Sequence, residues 1–226
     1  MDDRLPLALA RLHRDTEVGA ATRVHVGVEW DSSSLGAVFE GAGFSLDAID
    51  GADALATRLR TLPDTVGPGM RVLLVGLNPS VYSADRGTPF ARPGNRFWPA
   101  ALAAGLVTRD RDAFHALESH GVGLTDLVKR ATAGAGELSA DEYRAGGARV
   151  ESLVAWLAPA VVCFVGLSGY RIVVERTATT GWQNRRFADR PVYLMPNPSG
   201  INAHATPATL TEHLRAVRAG RTGRAS

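Results

Sequence analysis

The sequence predicts an α/β sandwich around a largely parallel sheet. Apolar strand-like runs alternate with helical stretches along most of the chain, which is the pattern of β-α units. Two of those runs lead straight into Asn-Pro-Ser segments, Asn78 to Ser80 and Asn197 to Ser199. Loops beyond the carboxyl ends of strands are where such sheets carry their working residues. The 226 residues suffice to bury a core, and no stretch approaches the ~18 apolar residues of a membrane span.

Taken in order, "RVHVGVEW" (23–30) reads as a strand and "DSSSLGAVFEGAGF" (31–44) as a helix capped by its serines and stopped at Gly41 and Gly43. "SLDAID" (45–50) reads as a strand and "ADALATRLRTL" (52–62) as a helix, so residues 1–69 form an extra N-terminal β-α-β-α block ending in a linker from Pro63 to Gly69. The pattern restarts in a second domain, 70–226. Strand "RVLLVGL" is followed by the first Asn-Pro loop, a helix in "NRFWPAALAAGL", a short helix in "RDAFHALESHG" and a loop, "GVGLTDLVKRATAGAGELS". Helix "ADEYRAGGARVESLVAWL", strand "AVVCFVGL", helix "SGYRIVVERTA", strand "RPVYLMP", the second Asn-Pro loop and helix "ATLTEHLRAVRAG" complete it.

Composition narrows the function classes. The single cysteine, Cys163, sits in an apolar run and reads as a small core residue, which leaves no disulfide framework and no cysteine-ligated cluster. The six histidines lack ligand spacing on any helix face, so neither metal nor cofactor is expected. "MDDRLPLALARLHRD" mixes charges into its apolar run, without the basic start and small-residue cleavage site of a secretion signal. A cytoplasmic location is expected, nucleoid-associated in a bacterium, with no membrane partner. The formal charge of +2 conceals an asymmetry. Residues 1–69 carry 6 arginines against 11 acids, a formal −5, and residues 70–226 carry the balance at +7. A basic C-terminal part suits a polyanion; a GC-rich genome would give the same arginine excess.

Familiar nucleotide and acyl-transfer motifs are absent. No Gly-Lys-Ser/Thr and no G-x-G-x-x-G follows strand 71–77, and no G-x-S-x-G elbow stands at a strand end. What remains is Asn78 on a rigid turn, Phe90 a dozen residues later and a second proline-rich loop. Asn78 read alone is equally a turn residue bonded to its own backbone or an amide that orients a water. Phe90 read alone is a core residue or a stacking ring.

Together, "GLNPS", "PFARPGNRFW", "GVGLTDLVKRAT", "LSADEYRAGG" and "MPNPSGIN" resemble, in order and spacing, the mismatch-specific uracil and thymine DNA glycosylases of the uracil-DNA glycosylase superfamily. The resemblance covers roughly residues 70 to 218. It implies a three-layer α/β/α sandwich around a short sheet, and removal of uracil, or a related damaged pyrimidine, from double-stranded DNA holding a mispaired or damaged base. By the same resemblance Asn78 positions the hydrolytic water, Phe90 stacks on the extruded base, and the peptide groups of Leu77 and Pro79 read its edge. Asn197 supports the pocket. Ile201 is the wedge that fills the vacated place in the duplex, and Ser199, Gly200 and Asn202 contact the base left opposite.

Two carboxylates depart from the family pattern and join Asn78 as catalytic candidates. Asp126 stands at a pocket position where relatives carry an uncharged polar residue; its alternative role is a helix cap for a segment starting at Leu127. Asp85 follows the first loop, where the family does not usually have an acid. His204 and Arg215, Arg218, Arg221 and Arg224 are further candidates for DNA contacts. The competing reading is a catalytically weak DNA-damage-binding protein of the same fold. A monomer is expected, with the N-terminal extension free to meet a protein partner.

Overall fold

The computed structural model describes residues 2–28, 30–202 and 205–220. Its main sheet contains β4 (Val72–Gly76), β5 (Val122–Asp126), β6 (Val161–Val165), β7 (Gly181–Trp182) and β8 (Val192–Met195), in the order β5-β4-β6-β8-β7. Every pairing is parallel except that of the edge strand β7 with β8. The central strands are buried along their length because helices cover both faces.

The alternation of side chains sorts the core into two layers. Val72, Leu74, Cys163 and Met195 pack on one face against α4 (Phe97–Ala103), α5 (Ala113–His120) and α8 (Pro207–Ala219). Leu73, Val75, Phe164 and Leu194 pack on the other against α6 (Ala140–Leu157) and α7 (Leu167–Val173). The three-layer α/β/α sandwich is therefore the observed fold. Helix α6 begins at a capping box, with Ser139 and Glu142 satisfying each other's backbone donors. The short α3 (Val81–Arg86) is capped by the Ser80 side chain.

The N-terminal block differs from expectation. It runs α1 (Leu5–Asp15), β1 (Ala21–His25), α2 (Ser32–Gly41), β2 (Phe44–Asp50), β3 (Asp53–Arg58), an α-β-α-β-β unit with an antiparallel sheet of order β1-β3-β2. The segment expected to be a helix at 52–62 is mostly strand. Asp50 and Asp53 pair across a tight turn whose Gly51 has φ +59°, and the small residues Ala54 and Ala56 point inward with a period of two. Tertiary pairing thus overrides the helical propensity of an Ala/Leu/Arg segment. The block has its own core of Leu5, Leu9, Leu35, Phe39, Phe44, Ala54 and Ala56, which Trp156 of α6 joins from the main domain.

Two further corrections concern segments expected to be irregular. β5 lies inside the expected loop 121–139, and Leu127 follows it without starting a helix. Residues 63–69 are no linker. Thr65 exchanges two backbone hydrogen bonds with Leu124, of 2.9 and 3.0 Å, and Asp64 and Val66 are fully buried. Among the described residues no helix is long and apolar enough to cross a membrane.

Candidate active site

The carboxyl ends of the parallel strands open into a cleft of about 320 Å³. Leu77 and Asn78 enter it from β4, Asp126 from β5, Val165 from β6 and Asn197 from the loop after β8. Pro79, Phe90, Ser199 and Ile201 join them along its walls and mouth, while the predicted Gly200 and Asn202 are not on its lining. This is the crevice that a parallel sheet leaves where its strands end. A smaller cavity, of about 80 Å³, lies between the N-terminal block and α6. Its lining is mostly apolar, with the Asp64 and Arg149 side chains and two serines, Ser34 and Ser152, as its polar groups.

Asn78 is held rigidly. Its amide nitrogen lies 2.7 Å from Thr132 Oγ1 and 3.1 Å from the carbonyl oxygens of both Pro79 and Arg130. Two of these three neighbours are carbonyl oxygens, which only accept, so the NH₂ group must face them and the side-chain oxygen is turned away. That oxygen has no protein partner among the described residues and is available to accept from a water. The loop that supplies Thr132 is itself anchored. Arg130 bonds both carboxylate oxygens of Glu142, at 2.7 and 3.1 Å, and the Thr132 hydroxyl donates to the Gly134 carbonyl at 3.0 Å. The Arg130 guanidinium and the Ser139 donors hold the Glu142 carboxyl down at about 2.

Phe90 has φ +55°, a left-handed conformation that costs a non-glycine residue of order 1–3 kcal/mol and is kept only where its surroundings impose it. Those surroundings are identifiable. Trp98 Nε1 donates to the Pro89 carbonyl at 2.7 Å, and the Ala91 amide donates to Ser83 Oγ at 3.3 Å, so the residue is pinned on both sides. The half-buried ring rests on Phe97 with centroids 4.2 Å apart and borders the cleft.

Asp126 ends β5 opposite Gly76, and a side chain at Gly76 would occupy the space taken by its carboxylate. No donor among the described residues bonds that carboxylate. Burial is the main reason its pKa rises to about 6; Lys129 and Arg149 pull it down, and Asp64 pushes it up. A carboxyl that ionises near 6 is matched to accept a proton at neutral pH.

Behind Asp126 lies a buried ionic cluster that the sequence reading missed. Asp64 accepts from Lys129 Nζ at 2.7 Å, from Arg149 Nη1 at 2.6 Å and from Thr125 Oγ1 at 2.6 Å. Arg149 Nη2 also donates to the backbone oxygen of Asp126 at 2.6 Å. Burial alone would raise the Asp64 carboxyl, but the two cations outweigh it and hold it below the usual range.

The second Asn-Pro loop is built as a turn, with the Asn202 amide donating to the Ser199 carbonyl at 3.0 Å and the Asn197 side chain accepting from the Ser199 amide at 3.0 Å. Gly200 and Ile201 occupy its tip. Ile201 is 94% exposed, and a Cβ at Gly200 would come within 2.6 Å of the Gly94 carbonyl. Arg96 fixes the loop from beneath, donating to the carbonyls of Gly200, Asn202 and Ala205 at 3.0, 3.0 and 2.6 Å.

Not every predicted residue reaches the cleft. Asp85 is gripped by Arg60 through two hydrogen bonds of 2.7 and 2.8 Å and is absent from the cleft wall. Arg215 donates to Glu212 and Ala103, and Arg218 to the Ala104 carbonyl. His204, Arg221 and Arg224 lie outside the described residues.

Comparison with known proteins agrees with this fold. Residues 63–218 match the family model described as the uracil DNA glycosylase superfamily. A solution NMR structure of a candidate uracil DNA glycosylase from Methanosarcina acetivorans shares the fold, with a TM-score of 0.51 at 19% identity, covering 71% of this chain and 96% of that one. The family match begins at Pro63, so it takes in Asp64 and the segment that hydrogen-bonds to β5. With the sandwich, the strand-end cleft and a match over most of the sequence in agreement, the chain belongs to the uracil DNA glycosylase superfamily.

Proposed function

We propose that the protein is a monofunctional DNA N-glycosylase that flips uracil, especially uracil mispaired with guanine, or a related damaged pyrimidine into the cleft and hydrolyses its glycosidic bond. The observation that carries this reading is the fixed Asn78 amide, its oxygen without a protein partner among the described residues, at a cleft walled by the Phe90 ring.

The extruded base stacks on Phe90, and the peptide groups of Leu77 and Pro79 meet its polar edge. The bond between the sugar C1′ and the base nitrogen breaks with its electron pair leaving on the base. The sugar then carries oxocarbenium-like charge, which oriented dipoles and the ionised Asp126 carboxylate stabilise. A water held by the Asn78 oxygen adds to C1′ and gives its proton to Asp126. That proton neutralises the departing base anion, leaving free base and an abasic sugar. Flipping costs a few kcal/mol, less for a mispair. Ile201 offsets part of it by filling the vacated stack, since burying such a side chain contributes roughly 1.5–3 kcal/mol.

Single-turnover incubation with duplexes carrying uracil opposite guanine or adenine, followed by alkaline cleavage, tests the reading. Strand scission at the uracil, faster opposite guanine, is expected. Tight binding to the damaged duplex without scission would instead identify a damage-binding protein.

A further inference from the structure

The buried Asp64–Lys129–Arg149 cluster joins three segments far apart in sequence: Asp64 before the main sheet, Lys129 just after β5 and Arg149 in α6. Each member is at least 92% buried. Buried charges of this kind contribute little net stability compared with apolar packing, so their presence behind Asp126, between the cleft and the smaller cavity that Asp64 and Arg149 also line, calls for another role. We propose that Asp64, Lys129 and Arg149 are positioning residues for the hydrolytic step: they clamp the Asp126 peptide and fix the charge that surrounds its carboxylate.

The clamp is direct. Arg149 bonds the Asp126 backbone oxygen at 2.6 Å while bonding Asp64 through its other terminal nitrogen, and Thr125, the neighbour of Asp126, donates to Asp64. The Asp126 carboxylate is left to project over Gly76 with no donor among the described residues. Its ionisation is therefore governed by burial and by charges acting through space. Those charges are Lys129 from the loop after β5, Arg149 from α6 and Asp64 from the segment before β4; Arg92 is the further charged residue on the cleft wall. The cluster carries two cations and one anion. Asp64 cancels one of the cations and so keeps Asp126 from being pinned as an anion at low pH, which preserves its ability to take up a proton near neutrality.

The direction of each effect follows. Asp64→Asn leaves both cations uncompensated, so Asp126 ionises at lower pH; Lys129→Gln removes a cation, so it ionises at higher pH. The inference rests on Asp126 acting in the proposed hydrolysis, and its test has two readouts. The first is the acidic limb of the single-turnover pH–rate profile on a uracil–guanine duplex. The second is the ¹³C-carboxyl NMR titration of Asp126 in the free protein, which needs no turnover. Both should move down by about one pH unit in Asp64→Asn and up by about one in Lys129→Gln, the low end of what a nearby charge does. At a pH one unit below the wild-type limb this is several-fold more and several-fold less activity relative to each variant's plateau. The double variant Asp64→Asn/Lys129→Gln removes one charge of each sign and remains available if Asp64→Asn alone does not fold. It should titrate between the two single variants. Equal titration of Asp126 in wild type, Lys129→Gln and the double variant, or displacement of the two single variants in the same direction, would overturn the inference. A wild type without scission but with an Asp126 titration displaced as stated would overturn only the glycosylase reading.

Discussion

The Arg96 guanidinium donates to the Gly200 carbonyl at 3.0 Å, tying the helix that follows the first motif to the tip of the second. With its bonds to Asn202 and Ala205, this side chain gives the exposed Ile201 a fixed platform. A wedge on a loose loop would lose its ordering entropy at the moment of insertion; a prebuilt turn does not. Arg96→Ala should therefore slow cleavage of uracil paired with adenine by about 10²-fold, the usual scale for a misplaced group. Cleavage opposite guanine should fall less. Equal losses on both pairs, with a lowered melting temperature, would mean that Arg96 only holds the fold together.

Ile201 supplies the complementary case, because its side chain touches little in the free protein. Ile201→Ala should leave stability within about 0.5 kcal/mol, as for other exposed positions. Flipping of a stable uracil–adenine pair should be impaired, read by 2-aminopurine fluorescence beside the lesion. Normal opening of that pair would remove Ile201 from the mechanism.

Asn78→Ala should lower the single-turnover rate by about 10²–10³ while binding to the damaged duplex persists. Thr132→Val tests the holding geometry separately. It deletes the 2.7 Å acceptor and the hydroxyl's own bond to the Gly134 carbonyl but leaves the two carbonyls on the amide, so a loss of roughly tenfold is expected, the worth of one to two hydrogen bonds. A Thr132→Val enzyme as slow as Asn78→Ala would show that the hydroxyl does more than orient the amide.

Much of this site was legible because its residues cluster in two short motifs at strand ends, where hydrophobic runs stop at Asn-Pro. The less legible parts share a physical cause. Asp64 stands in a proline- and glycine-rich stretch with no periodicity, and its partners Lys129 and Arg149 are 65 and 85 residues away, so nothing local announces the cluster. β5 resembles a loop because "GVGLTD" is short and glycine-rich; Gly123 is required where the Met70 side chain lies against the strand. Asp85 is the opposite case. Its spacing from Asn78 suggested a role, but Arg60, from a segment expected to be helical, turns it into an ion pair across the two halves of the chain. That pair is solvent-exposed and screened, and Asp85→Asn should leave the acidic limb of the rate profile unchanged.

Asp126 is the residue where stability and activity should oppose each other. Its folded pKa, about 6, lies above the ordinary carboxylate value of 3.8, so the folded state holds the proton more tightly than the unfolded chain. Between roughly pH 4 and 6 the folded protein therefore binds more protons, and by linkage its stability falls as pH rises through that window. Above it the ionised carboxylate is a standing cost, on the order of 1–2 kcal/mol once partial exposure to the cleft is allowed for. Asp126→Asn removes the charge while keeping the size of the side chain. At pH 7.5 it should raise the melting temperature by about 2–6 °C for a chain of this length, and the gain should vanish near pH 4, where the wild-type carboxyl is already protonated. The same variant should lose the acidic limb of the pH–rate profile and most of the turnover, because an amide cannot take the proton of the attacking water. A variant that keeps the wild-type limb would exclude Asp126 as the proton acceptor. One that gains no stability at pH 7.5 would show that the carboxylate is better solvated than its place over Gly76 implies, leaving the water to Asn78 alone.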